Sequence, residues 1–290
     1  MRLRRDLFAV AAVALVACSG VSGVPQAVVP SPVSPPITAL AAWDAFPVGQ
    51  TPRPVVVVMN PSQTFGFGSN EDARLAAACH KLTTAISLSN AVPRTANVSW
   101  SIGTKGVYPS MSAAAAFAAM TQYGSGTSQS NCAPIKPFAV TAVHFLPYGF
   151  VTDRGQAQID SWLFTLNGID LVVYPAVAPS ALLNADLSRG STYFGSTLGA
   201  DALSLTVSFS GKESTGVCAA DYRGVVAESR TAAAVALQEI PHPDSDQSNC
   251  EGISELRYVD VHLAGALGGR LVLDASGNLV PVCPIAKPDC

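Results

Sequence analysis

The chain opens on a basic start, Met1-Arg2-Leu3-Arg4-Arg5, then runs through apolar residues from Leu7 to Ala17 and reaches a cysteine, Cys18. That segment decides how much of the chain is left to fold and in which redox compartment it folds. Its eleven apolar residues suit the hydrophobic region of an export signal, whereas a membrane-spanning helix needs about 20. The small residues before the cysteine, Leu15-Val16-Ala17-Cys18, have the form of a bacterial lipobox. They predict a lipoprotein signal peptide over 1–17, diacylglycerol on Cys18 and a mature chain on the outer face of the cytoplasmic membrane. The alternative is an ordinary secretory signal cut after another small residue, with Cys18 incidental.

Cleavage before Cys18 takes away Arg2, Arg4, Arg5 and Asp6, leaving 14 basic and 19 acidic residues and a net charge of −5. A mildly acidic chain lacks the basic stripe that a nucleic-acid partner requires. It also gives no electrostatic attachment to anionic lipid, so the acyl chain would hold the protein to the membrane. With Cys18 lipidated, six cysteines remain: Cys79, Cys132, Cys218, Cys250, Cys283 and Cys290. An even number in an exported chain reads as a disulfide framework. Six cysteines allow about 15 connectivities; Cys79–Cys132, Cys218–Cys250 and Cys283–Cys290 are expected, because each pair stays within one structural unit. No C-x-x-C occurs, which argues against a zinc ribbon or a thioredoxin-type centre.

Eight prolines fall between Ser19 and Pro54. Pro30-Ser-Pro-Val-Ser-Pro-Pro36 favours extended polyproline geometry, so 18–53 is expected to be a tether, with Trp43 and Phe46 docking its end. At about 3 Å per residue, some 30 such residues would span about 90 Å. The rest reads as α+β in two units. Over 54–179, two helices are expected on an antiparallel sheet; over 200–290, a mainly antiparallel, sandwich-like β unit. The first helix has Asn70 or Ser69 as cap, and Leu75, Cys79, Leu82 and Ile86 on one stripe, leaving His80 solvated. The second starts near Ser110 and carries Ala113, Ala116, Phe117 and Met120 on one side. Strands follow over 138–146, 158–166 and 169–174, and six more lie between Leu203 and Val282, with a hairpin turn at Asp274-Ala-Ser-Gly-Asn278.

Hydrolase signatures are missing: there is no G-x-S-x-G, H-E-x-x-H or P-loop. Asp244, Asp246, Ser248 and Glu255 match positions 1, 3, 5 and 12 of a calcium loop, where alternate oxygen ligands converge on one hard cation. Position 6 is Asn249 rather than glycine, so calcium competes with a solvated loop beside a disulfide. Tyr258, Asp260 and His262 alternate with Val259, Val261 and Leu263, which places the three polar side chains on one strand face. Asp260 and His262 would then be about 7 Å apart, close enough to share a metal or to orient a base. His144 alternates with Phe138, Val140, Ala142 and Leu146 and is expected to be packed among them.

Several runs carry a resemblance. Ala113–Phe117, Cys132 with Pro134, Thr152-Asp-Arg-Gly155 and Trp162-Leu-Phe164 resemble a family of uncharacterised actinobacterial secreted lipoproteins. So do Cys218, Glu228-Ser229, Cys250, Leu267-Gly-Gly-Arg270 and Asp274-Ala-Ser-Gly277. The chain departs from that pattern at Asp160-Ser161, where proline and alanine are usual. The resemblance implies export and fold, and no catalytic residues. The expected function is non-enzymatic binding or scaffolding at the cell envelope, with a protein or ligand there as partner. The alternative is an envelope hydrolase or metal-assisted enzyme using His144 or His262 with nearby carboxylates. A two-lobed solute-binding lipoprotein is disfavoured, because the chain lacks the repeated βα pattern.

Overall fold

A long hairpin forms the centre of the structure, a computed structural model that describes residues 33–58, 62–66, 71–101, 103–122, 132–166, 170–185, 193–242, 250 and 254–283. Among the described residues the chain is mostly β, with three helices: α1 (Ile37–Ala41), α2 (Glu71–Ala78) and α3 (Ala113–Gln122). The first sheet gathers β1 (Val55–Val57), β2 (Gln63–Phe65), β3 (Leu82–Thr84), β4 (Ala96–Trp100) and β5 (Lys105–Tyr108). It continues with β6 (Phe138–Thr152), β7 (Gly155–Leu166), β8 (Asp170–Pro175) and β9 (Leu182–Asn184). Its main path runs β2-β8-β7-β6-β1-β9. β6 and β7 pair along nearly their full length and meet at the two-residue turn Asp153-Arg154.

The sheet is mixed rather than antiparallel. β1 lies parallel to β9, and β3 parallel to β6. These short strands arrive through long connections, which permit parallel pairing, whereas a tight turn enforces the antiparallel kind. α2 and α3 bury Ala73, Ala77, Ala116 and Met120 against Phe164, Leu166 and Val172 on one face. Val98, Trp100, Phe150 and Ile159 form a second cluster.

α2 is shorter than the stripe predicts. His80 adopts φ 54°, and the bonds Lys81 N–H to Ala76 O and His80 N–H to Ala77 O close a Schellman cap. Leu82 therefore belongs to β3, and Ile86 follows that strand; the helix buries its alanines instead. His80 is not simply solvated: its Nδ1 lies 2.9 Å from the carbonyl oxygen of Met120.

The later chain forms two smaller sheets. One orders β14 (Glu255–His262), β11 (Ser204–Gly211), β10 (Tyr193–Leu198) and β16 (Val282–Cys283); the other orders β12 (Ala220–Glu228), β13 (Ala232–Pro241) and β15 (Leu271–Asp274). Leu205, Val207, Phe209, Val259 and Val261 of the first meet Ala233, Val235 and Val272 of the second. Both sheets include one parallel pair, β10 with β16 and β13 with β15. The Asp274 carboxylate accepts from the N–H groups of Ser276 and Asn278, at 2.8 and 2.9 Å, and fixes the expected turn.

Residues 33–53, expected to be tether, are part of this body. Leu40 and Phe46 are buried, and Trp43 Nε1 donates to Gly277 O at 3.0 Å. Gly277 has φ +86°, and a Cβ there would lie 3.2 Å from Ala39 O, so the turn and α1 fit only with glycine. Apolar α1 residues such as Leu40 cover the joint where Val56 and Val58 meet Leu271 and Leu273, and this cluster draws on residues from both expected units. None of the described helices is long and apolar enough to cross a membrane.

Candidate ligand cleft

The expected disulfides Cys79–Cys132 and Cys218–Cys250 are formed, each with Cα atoms 5.5 Å apart. Cys283 is buried; Cys290 lies outside the described residues, as do Cys18, Asp244, Asp246 and Ser248. Glu255, the remaining member of the calcium loop, accepts from Ser214 N–H at 2.8 Å and faces Arg257 Nη1 at 3.3 Å. A guanidinium beside the carboxylate opposes a cation at that place. Among the described residues, no group of three or more His, Cys, Asp or Glu side chains could hold a metal ion.

The sequence-predicted side chains do not converge. Tyr258, Asp260 and His262 stand on the exposed face of β14, opposite Ser208, Thr206 and Ser204 of β11. Thr206 Oγ1 donates to Asp260 Oδ1 at 2.5 Å. The carboxyl of nearby Asp201 is held below its ordinary value, by the Leu203 N–H first and by Ser204 next, with His262 adding a smaller attraction. His144 is on the other sheet and exposed, not packed. A register shift between Val140 and Ala142 sends Val140 to the face of Leu166 and opposes His144 to Leu163. One extra residue reverses the alternation that period two assumes.

A different place assembles polar chemistry. The β6–β7 turn is clamped at the backbone: Asp153 N–H donates to Val56 O, and Val282 N–H to Asp153 O, both at 3.0 Å. Thr152 is fully buried, accepts from Trp100 Nε1 at 3.1 Å and donates to Gly155 O at 2.7 Å, which locks the turn. The Asp153 side chain, 2% exposed, pairs with Arg53 Nη2 at 2.5 Å. Arg154 lies 3.9 Å from the same carboxylate through Nε. Arg53 stacks over Phe46 at 4.7 Å and Arg154 over Trp100 at 3.8 Å.

Facing this turn is the run Leu267-Gly-Gly-Arg270. Gly268 has φ +55°, and a Cβ on Gly269 would lie 3.2 Å from Val48 O. Arg270 uses its whole fork: Nη1 donates to Glu228 Oε2 at 2.7 Å, Nη2 to Gly265 O and Ala266 O, and Nε to Leu267 O. Glu228 also accepts from Ala264 N–H at 2.6 Å. Burial raises the Glu228 carboxyl, but the Ala264 N–H and Arg270 outweigh it and hold the group below its ordinary value. Between the walls is a cleft of about 410 Å³, completed by Leu198, Val282 and Cys283.

The sequence had pointed to two of these runs without giving them chemistry. Arg53 had no signal at all, because it stands in a proline-rich stretch that reads as linker. The chain matches no family model, no curated protein and no solved structure.

Proposed function

We propose that this is an extracytoplasmic binding protein, attached to the membrane through lipid on Cys18, whose cleft takes a small ligand without transforming it. The observation that carries the reading is the charged wall of Arg53, Asp153 and Arg154 set in a cleft of about 410 Å³. That volume falls in the range of small-molecule sites, and a few polar groups among apolar ones is their usual composition. The two disulfides fit an oxidising compartment. The clamped turn and the Glu228–Arg270 pair hold the walls before any ligand arrives, as binding favours. Neither His144 nor His262 lines the cleft, so the hydrolase alternative draws no support from it.

Native mass spectrometry of the protein released from membranes in mild detergent tests this. The expected spectrum shows a diacylated Cys18 N-terminus and a small molecule retained by the protein. A bare protein that no small molecule stabilises against heat would overturn the binding reading. An unmodified Cys18 would overturn the attachment alone.

A further inference from the structure

Resting on that reading, we infer that the ligand is a monoanionic organic acid, its carboxylate seated against Arg53 and Arg154 and its apolar body along Leu198, Leu267 and Val282. Arg53 is the first observation. Its side chain is 10% exposed, it lines the cleft, and its Nε and Nη1 are buried without a hydrogen-bond partner. Arg154 Nε and Nη2 are in the same state, as is the one acceptor between them, Asp153 Oδ1, 3.9 Å from Arg154 Nε and beyond hydrogen-bond reach. Folded proteins seldom leave buried charged donors unpaired, and such groups in the wall of a cleft call for an acceptor. The aromatic rings cover one face of each guanidinium and leave the in-plane N–H directions, which suit a carboxylate.

Charge selects the class. Two guanidiniums face a single carboxylate, that of Asp153. The third arginine of the cleft, Arg270, is matched by Glu228. One positive charge is therefore uncompensated, which one negative charge neutralises and two would exceed. The three apolar side chains favour a hydrocarbon body over a second polar group.

Isothermal titration of the processed protein at pH 8 with octanoate, octyl phosphate and octanol tests this. The three share a hydrocarbon chain and differ in head charge, the phosphate being dianionic there. Octanoate is expected to bind, octyl phosphate to bind more weakly and octanol not to register. Arg154→Gln should weaken octanoate by on the order of ten- to hundredfold. Arg154→Lys, which keeps the charge and loses the fork, should fall between. Octanol equal to octanoate, tighter binding of the phosphate, or unchanged affinity in Arg154→Gln would overturn the assignment. A neutral molecule found in the cleft would remove the anion and leave the binding reading standing. Silence from all three probes, with no retained small molecule, would remove both.

Discussion

Arg270 and Arg154 face one cleft from opposite walls, and their surroundings differ in kind. Arg270 donates to Glu228 and to the carbonyls of Gly265, Ala266 and Leu267. With Glu228 also holding the Ala264 N–H, the whole 264–270 segment is fastened to β12. Arg154 has a ring beneath it, a carboxylate at 3.9 Å and buried N–H groups with no acceptor. Arg53 shares that condition, relieved by one bond to Asp153. A satisfied arginine supports a fold. An unsatisfied one, kept in a cleft by neighbours that are themselves well fixed, is better explained by what the cleft receives.

The contrast is breakable at Arg270. Arg270→Gln leaves Glu228, only 18% exposed, without its cation and frees the 264–270 segment. Urea unfolding should show a loss of about 3 kcal/mol. A loss below about 0.5 kcal/mol would mean that this wall is not structural.

Acid sharpens the same point. The Glu228 carboxyl sits below its ordinary value of 4.5, so its contribution is present above that value and is lost as pH falls through the lowered one. Wild-type stability should therefore fall more steeply than that of Glu228→Gln on acidification below about pH 4.5. Parallel curves for the two proteins would deny Glu228 this role.

The smallest effect is expected on β14. His262 is exposed and away from the cleft, so His262→Ala should change stability by less than about 0.5 kcal/mol and leave ligand affinity intact. A larger loss of affinity would move the site to the polar face of β14.

What was legible in the sequence follows from period and chemistry. The alternating runs around Trp162 made β6 and β7 readable, and the even number of cysteines after Cys18 made two disulfides readable. The Asp274 turn announced itself through Asp and Gly at fixed offsets. Features set by one residue's backbone were hidden: the φ of His80 that ends α2, and the register shift near Thr141 that exposes His144. The cleft was hidden for a different reason. Its charged wall joins Arg53 to a turn about a hundred residues later, and sequence spacing carries no trace of such a meeting. Polar side chains on a regular strand, such as Tyr258, Asp260 and His262, were easy to see because alternation displays them, and their visibility said nothing about use.

The most direct measurement is the unfolding free energy of Arg154→Gln against wild type, with and without octanoate. Without ligand the variant should match wild type within about 1 kcal/mol or exceed it, because N–H groups buried without a hydrogen-bond partner have been removed. At an octanoate concentration that saturates both, the wild type should gain about 1.4 to 2.7 kcal/mol more than the variant, the ten- to hundredfold difference in affinity. A variant several kcal/mol weaker in the absence of ligand, or stabilised by octanoate as much as wild type, would contradict the account.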